Sequence, residues 1–309
     1  MNQFHEPLES GSRFTTSQWG LVALIVAVSA GSVLYKFLFS HDLGHTAATF
    51  IGIPALLAIL LALAPRPKSA TGSILRGIGV ALLIIAPLLG EGYLCILMAA
   101  PLFLLVGVLI GAFIDHSRRK RGVTLSCMVL VLLPISLEGI VPALTYDRDQ
   151  TVEVTRTVNA PASAVAAVAA ALAESPDVKT VLPRFLRIGF PRPLEAHGTG
   201  LALGDSRTIH FAGAEGDPPG DLVLRVSDEH PGYVRFTTVS DTSKLTQWVR
   251  WQSSEVIYAP VDATHTTVTW RICFSRQLDP YWYFTPWERF AAGQAAKYLI
   301  AANATPTGR

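Results

Sequence analysis

Five apolar stretches dominate the first 144 residues and constrain the fold of this chain more than any other feature. Their approximate limits are Trp19–Phe39, Thr46–Ala64, Ile74–Leu89, Tyr93–Ile114 and Val123–Leu144. Most of them reach the roughly 20 residues that a helix needs to cross about 30 Å of hydrocarbon. The sequence therefore predicts a transmembrane region of about five helices over residues 19–144, after an N-terminal tail over residues 1–18.

Charged residues are distributed unevenly between the two parts of the chain. Residues 1–143 contain 9 Lys+Arg and 6 Asp+Glu, whereas residues 144–309 contain 16 and 17. This contrast indicates that the first part folds in a membrane and the second in water. The formal net charge of +2, without a basic face interleaved with aromatic residues, excludes a strongly basic nucleic-acid-binding protein.

The basic residues of the short loops predict an orientation in the membrane. Arg66, Lys68 and Arg76 flank the second and third apolar runs, and Arg118–Arg121 lie between the fourth and the fifth. Because such clusters favour the cytoplasmic side, the N-terminus is expected in the cytoplasm of a bacterial cell. After a fifth crossing of the inner membrane, everything beyond Tyr146 is expected outside the cytoplasm.

Several ionisable groups lie near the predicted outward ends of the helices. His41 and His45 have an i, i+4 spacing, and Glu91 and Glu138 each precede a glycine. One interpretation is a carboxylate–imidazole cluster or metal site. The favoured interpretation is that water and lipid headgroups solvate them, because this His pair has no glutamate between its members. Neither a metal nor a cofactor is predicted.

The second part of the chain changes to the alternating period of β-strands. The residues after Thr151 alternate apolar and polar, and Ala162–Ala173 is an alanine-rich helix entered through Pro161. Six further strands are predicted at Thr199–Leu203, Ser206–Gly213, Leu222–Asp228, Tyr233–Ser240, Leu245–Tyr258 and Thr266–Ser275.

A long C-terminal helix is predicted from Trp282 or Pro286 to Asn303. Its inward stripe is predicted to comprise Phe284, Trp287, Phe290, Ala291, Gln294, Tyr298 and Leu299. The element order predicts an α+β helix-grip domain, in which a curved antiparallel sheet wraps around the last helix. An apolar cavity is expected between the sheet and that helix.

Three segments carry a resemblance to a known superfamily. They are VNAPASAVAAVAA at Val158–Ala170, GDSRTIHFAG at Gly204–Gly213 and THTTVTWRICFSRQLDPYWY at Thr264–Tyr283. With them, residues 145–309 resemble the START-like (SRPBCC) superfamily of polyketide cyclase/dehydrase and lipid-transport domains. The segment EGYLCILMAAPL, Glu91–Leu102, resembles the membrane part of bacterial proteins that carry such a domain. The resemblance implies binding of lipids, sterols, polyketides or similar apolar molecules, and some members are aromatases or cyclases.

Strand parity selects candidate ligand-binding residues on the inward side. The candidates are Arg207, Ile209, Phe211, Trp270, Phe274 and, on the last helix, Trp287. Arg207 is interpreted either as an anchor for a carboxylate or phosphate, or as a side chain that reaches solvent or a surface acid. The aromatic residues either line a cavity or pack the core. Trp248 and Trp251 cannot share one face of a regular strand, so at least one is expected to pack on the outside or to face the membrane surface.

The sequence thus predicts a membrane-anchored START-like domain that binds a lipid or another hydrophobic molecule for transfer or sensing. The alternative is a membrane-anchored polyketide cyclase or aromatase-like enzyme. That enzyme would need a buried acid or base, so an inward-facing His210, Glu153 or Glu255 would favour it. No catalytic residue is predicted, and the expected partners are a hydrophobic ligand and the lipid bilayer. A sensor that signals through a separate protein is a third interpretation.

Overall fold

The computed structural model describes residues 16–39, 53–65, 67–89, 93–119, 138, 141–159, 165–178, 181–187, 189–213, 218–262 and 265–303. The chain divides into two compact units, Met1–Val123 and Thr124–Arg309.

Four helices form the described part of the N-terminal unit. They are α1 (Thr16–Phe39), α2 (Ile53–Leu63), α3 (Ala70–Leu89) and α4 (Tyr93–Arg119). The described parts of the first four apolar runs are therefore helical. The fifth run, Val123–Leu144, lies almost entirely outside the described residues, as do His41, His45 and Glu91.

Helices α3 and α4 approach closely because α4 presents glycines to α3. A Cβ added at Gly111 would lie 2.3 Å from the Cα of Thr71, and one at Gly107 would lie 2.5 Å from Cδ1 of Ile78. One turn beyond Gly111, the carboxylate of Asp115 accepts hydrogen bonds from the backbone N–H groups of Ala70 (2.7 Å) and Thr71 (3.0 Å). This carboxylate satisfies free donors at the start of α3 and fixes the register of the two helices.

The described helices expose many large apolar side chains. Those that are about half exposed or more include Leu24, Leu56, Leu60, Leu97, Phe103 and Leu105. Among the described residues, the stretch Ile96–His116 alone is long and apolar enough to cross a bilayer by length and composition. Shorter apolar helical stretches cover Ser17–Gly31, Pro54–Leu63 and Ala70–Ile85. Five membrane crossings remain a prediction.

The C-terminal unit contains a seven-stranded antiparallel sheet of order β1-β7-β6-β5-β4-β3-β2. The strands are β1 (Asp149–Asn159), β2 (Pro193–His197), β3 (Ser206–Phe211), β4 (Gly220–His230), β5 (Tyr233–Asp241), β6 (Val249–Pro260) and β7 (His265–Arg276). Helix α5 (Val165–Ala173) follows β1, and helix α6 (Tyr281–Asn303) ends the unit. Short 3-10 helices cover Pro142–Leu144, Arg184–Arg187 and Lys244–Gln247.

The second strand is not where the sequence predicted it. It lies at Pro193–His197, and Thr199–Leu203 forms a turn region instead. Gly198 and Gly200 have φ angles of +100° and +94°, which are incompatible with a continuous strand. The chain therefore reverses there before it enters β3.

The sheet is curved, and α6 packs on one of its faces, here called the inner face. Register shifts interrupt the β2–β3, β4–β5 and β6–β7 pairings, and such bulges increase local bend and twist. Helix α6 packs mainly against β1 and β7. A Cβ at Gly293 of α6 would lie 3.7 Å from Val152 of β1, so the side of β1 that carries Val152 belongs to the inner face. A curved antiparallel sheet with a long C-terminal helix on this face is the helix-grip arrangement.

Candidate functional site

Cross-strand pairing shows which residues of the strands far from α6 also lie on the inner face. Ile272 of β7 pairs with Ser254, Ser254 with Phe236, and Phe236 with Val226 of β4. Leu224, two residues before Val226, pairs with Arg207 of β3. The inner face of β3, β4 and β5 is lined mainly by apolar side chains, which belong to the main hydrophobic core. They include Ile209, Leu222, Leu224, Val226, Val234 and Phe236.

The structure places the predicted ligand-binding residues in two different environments. Ile209, Trp270 and Phe274 are buried in the core, and Phe211 is half-buried against it. Trp287 is 39% exposed, because the buried stripe of α6 has a different phase from the predicted one. The helix buries Phe284, Thr285, Glu288, Ala292, Ala296, Tyr298, Ile300 and Asn303. The predicted Phe290 is exposed, with its ring edge-on to Phe185 at 4.9 Å.

Arg207 is a cation in an apolar setting. It is only 4% exposed, and its Cζ lies 4.7 Å from the centroid of the Phe236 ring. Its Nε and Nη2 atoms are enclosed and have no hydrogen-bond partner among the described residues. Burial lowers the pKa of Arg207 to about 10, and the negative field of Asp205 opposes this shift. Arg207 therefore remains charged at neutral pH.

A second buried arginine in this fold has a hydrogen-bond partner for each of its guanidinium nitrogens. Arg276, at the end of β7, is fully buried. It donates to the backbone oxygens of Leu278 (3.0 Å), Tyr146 (3.1 Å) and Asp147 (3.3 Å). It also pairs with the carboxylate of Asp279. All three of its nitrogens thus have partners, in contrast to the free edge of Arg207.

Other polar atoms on the inner face also lack partners among the described residues. They include the indole Nε1 of Trp270, the hydroxyl of Thr238, which is the cross-strand partner of Leu224, and Oδ2 of Asp241, which is the cross-strand partner of Leu222. By comparison, the indole Nε1 of Trp251 donates to the hydroxyl of Ser254 at 3.1 Å. Buried polar groups in native proteins are mostly hydrogen-bonded, so each unpaired one needs an explanation, and a bound water, ion or ligand group is one such explanation.

The groups that would favour an enzyme do not face inward. His210 has the opposite parity to Arg207, and its Nδ1 lies 2.6 Å from Asp221. Glu153 and Glu255 both bind Arg271, each at 2.9 Å, on the outer face of β1, β7 and β6. The described part of the inner sheet face therefore carries none of these three acid or base groups.

Both tryptophans near the start of β6 are buried, which corrects the prediction that one lies outside. Trp248 is 4% exposed and Trp251 is 8% exposed. Trp248 precedes the strand, after the 3-10 helix Lys244–Gln247, and packs edge-on against Phe190. The two residues therefore do not lie on one regular strand, and strand alternation does not force them onto opposite faces.

Glu138 lies inside the C-terminal unit and not at a solvated helix end. Its Oε1 accepts a hydrogen bond from the backbone N–H of Tyr281 at 2.9 Å and lies 3.5 Å from Nη2 of Arg276. This carboxylate sits at the N-terminus of α6, where negative charge is favourable. Among the described residues, no group of three His, Cys, Asp or Glu side chains is placed to hold a metal ion.

Glu288 is a buried carboxylate that sequence patterning missed. Its Oε1 accepts from the backbone N–H groups of Gln277 and Leu278, both at 3.2 Å, while Oε2 has no partner among the described residues. Burial raises the pKa of Glu288, and the two backbone donors and nearby Arg276 oppose the shift. Glu288 lies three residues after Thr285 and four before Ala292, so a helix stripe that passes through these two buried residues also includes Glu288.

We expect Glu288→Gln to stabilise the C-terminal unit at neutral pH. Because the folded-state pKa is raised, ionisation of Glu288 costs stability as the pH rises from about 4.5 through the folded pKa. The amide keeps the Oε1 acceptor and removes the charge. The measurement is the thermal midpoint of the full chain between pH 4.5 and 8, followed by tryptophan fluorescence. Equal pH dependence in both proteins would contradict the assignment.

Comparison with solved structures finds aromatase/cyclase and START superfamily proteins. The Zhui aromatase/cyclase from Streptomyces sp. R1128 is 20% identical, with 50% of this chain and 86% of that one covered and a TM-score of 0.29. A START superfamily protein from Mycobacterium smegmatis is 11% identical, with 49% and 92% covered and a TM-score of 0.32. No family profile and no curated protein matches the chain. Because both TM-scores lie below 0.5, neither similarity bears on the ligand or activity.

Proposed function

We propose that this chain is a membrane-anchored protein whose C-terminal helix-grip domain binds a lipid or another hydrophobic small molecule on the inner face of its sheet. The observation that carries the proposal is the composition of that face. The face carries mainly apolar side chains of β3, β4 and β5 and a few polar groups without partners among the described residues, and α6 packs mainly on β1 and β7. Sites for small apolar ligands have this composition, with a few polar groups that fix orientation.

The N-terminal helices support the anchoring part of the proposal. Their exposed leucine and phenylalanine side chains form more apolar surface than a helix in water usually presents. The stretch Ile96–His116 matches a bilayer in length. The basic loops favour an N-terminus in the cytoplasm and a ligand-binding domain outside the inner membrane. Tethering keeps this domain at high effective concentration near membrane lipid, which suits transfer or sensing of a lipid.

Analysis of bound molecules tests the binding function. The full chain is purified in a neutral detergent and extracted with organic solvent, and the extract is analysed by mass spectrometry. We expect one apolar molecule retained per chain, and we expect Thr238→Trp to reduce the retained amount at least fivefold. Thr238 lies on the inner face, whereas the adjacent Thr237 is exposed on the outer face, so Thr237→Trp is the matched control.

Two results would contradict the binding function. The first is the absence of any stoichiometric apolar molecule in the extract of the wild-type chain. The second is equal retention by Thr238→Trp and Thr237→Trp, provided that both variants give the wild-type thermal midpoint.

A further inference from the structure

Arg207 offers a specific pair of donors to whatever occupies the inner face. In a guanidinium group, the Nε–H and one N–H of Nη2 point from the same edge. These two nitrogens of Arg207 are buried and have no partner among the described residues. A two-donor edge of this kind matches the two oxygens of a carboxylate or phosphate in a bidentate hydrogen-bonded pair.

The surroundings hold this edge in place without neutralising it. Phe236 lies against the guanidinium, with 4.7 Å between Cζ and the ring centroid. Leu224 is the cross-strand partner of Arg207 and is itself buried. The nearest acid in sequence, Asp205, makes no ion pair with Arg207, and its carboxylate accepts the backbone N–H of Ala202 at 2.9 Å.

The energetic cost of this arrangement also favours an anionic partner for Arg207. A buried donor without a partner is costly, and a buried charge without a counter-charge is more so. In the same domain, the fully buried Arg276 is surrounded by backbone oxygens and carboxylates. The fold thus satisfies one buried guanidinium completely, whereas one edge of the other has no partner in the part of the chain that the structure describes.

We propose that the Nε–Nη2 edge of Arg207 binds the acid group of an amphiphilic ligand, a carboxylate or phosphate whose apolar tail lies along the inner face. This inference rests on the proposed function and narrows it, since it assigns the ligand to acidic amphiphiles. The charge-assisted pair supplies orientation and selectivity for acids, and the apolar side chains of β3, β4 and β5 hold the tail.

Matched probes separate the acid group from the tail. The full chain in a neutral detergent is titrated with oleate and with oleyl alcohol, which share a tail and differ in the acid, and occupancy is read by native mass spectrometry. We expect oleate to bind at least tenfold more tightly than oleyl alcohol. Dioleoyl phosphatidic acid and inorganic phosphate, as further arms, distinguish a lipid phosphate from a free anion.

Substitutions assign the selectivity to Arg207. In Arg207→Met the preference for oleate should disappear while oleyl alcohol still binds, and Arg207→Lys should retain only part of the preference, because lysine keeps the charge without the two-donor edge. The control is Arg225→Met on the adjacent strand, where the side chain is exposed and lies on the outer face. This control should bind both probes like the wild type.

The outcomes distinguish this inference from the function on which it rests. Equal binding of oleate and oleyl alcohol by the wild type would overturn the acid site and leave hydrophobic binding intact. Failure of both probes and of the phosphatidic acid to bind, together with the absence of any retained apolar molecule in the wild-type chain, would overturn the proposed function itself. If inorganic phosphate binds as tightly as either lipid acid, the proposal of an amphiphilic ligand is overturned and the site is a simple anion site.

Discussion

Replacing Arg276 with methionine is expected to lower the free energy of unfolding of the C-terminal unit by about 3–5 kcal/mol. The arginine is fully buried and connects the chain before β1 with the end of β7. Its removal leaves the buried carboxylate of Glu138 and the carboxylate of Asp279 without this cation. Since whole domains are stable by only about 5–15 kcal/mol, the variant should accumulate poorly.

Denaturant unfolding followed by tryptophan fluorescence measures this effect. Five of the six tryptophans lie between residues 248 and 287, so the emission reports mainly on the C-terminal unit. The matched control is Arg148→Met. Arg148 also binds Asp279, at 2.7 Å, but its side chain is 35% exposed, so its loss should cost about 1 kcal/mol or less. Equal shifts in the two variants would contradict a structural role specific to Arg276.

Replacing Gly111 with leucine is expected to separate α3 from α4. No Cβ fits at this position, because it would lie 2.3 Å from the Cα of Thr71, and backbone cannot move aside as a flexible side chain can. Overpacking usually costs 1–3 kcal/mol, and this case should reach about 3 kcal/mol. The displaced helix would also lose the hydrogen bonds that the backbone N–H groups of Ala70 and Thr71 donate to the carboxylate of Asp115.

The measurement for Gly111→Leu is the first thermal transition of the detergent-solubilised chain, followed by circular dichroism at 222 nm. We expect a fall of about 10–15 °C, as a loss of about 3 kcal/mol implies for a unit of this length. Gly77→Leu on α3 is the control, because a Cβ there meets nothing within 4 Å. A fall in Gly77→Leu as large as that in Gly111→Leu would show that any added side chain destabilises the helices.

Sequence patterning located most elements because their signals are local. Runs of apolar residues predicted α1 to α4, and alternation predicted β1 and the strands from β3 to β7. The second strand was misplaced because the reversal depends on Gly198 and Gly200, which adopt positive φ angles that composition does not reveal. A glycine permits such a conformation without requiring it.

The predicted inward stripe of α6 was wrong in part: Phe284 and Tyr298 are buried as predicted, but Trp287 and Phe290 are exposed. The helix instead turns small side chains, Ala292 and Ala296, inward, while Phe290 is exposed beside Phe185. That phase brings Glu288 into the interior, where aromatic content gives no indication of it. Which side of a helix faces a sheet depends on tertiary packing, and the hydrophobic pattern of the helix does not determine it alone.

For Arg207, strand alternation predicts which face of the sheet carries the side chain but not which groups surround its guanidinium. Alternation placed Arg207 on the side of Ile209 and Phe211, and the structure has it there. Whether a counter-charge lies nearby depends on side chains from β4 and β5, far along the chain. The unpaired Nε–Nη2 edge is therefore visible only in three dimensions.

Quenching of Trp270 by a brominated fatty acid tests the central claim, that an apolar ligand lies on the inner face, most directly. Trp270 is 3% exposed on that face, so bromine can approach its indole only along the interior. The reference variants are Trp270→Phe and Trp282→Phe, the second of which removes a half-exposed indole of α6. We predict saturable quenching of the full chain that falls in Trp270→Phe and persists in Trp282→Phe. Quenching that is unchanged in Trp270→Phe and lost in Trp282→Phe would contradict an internal ligand.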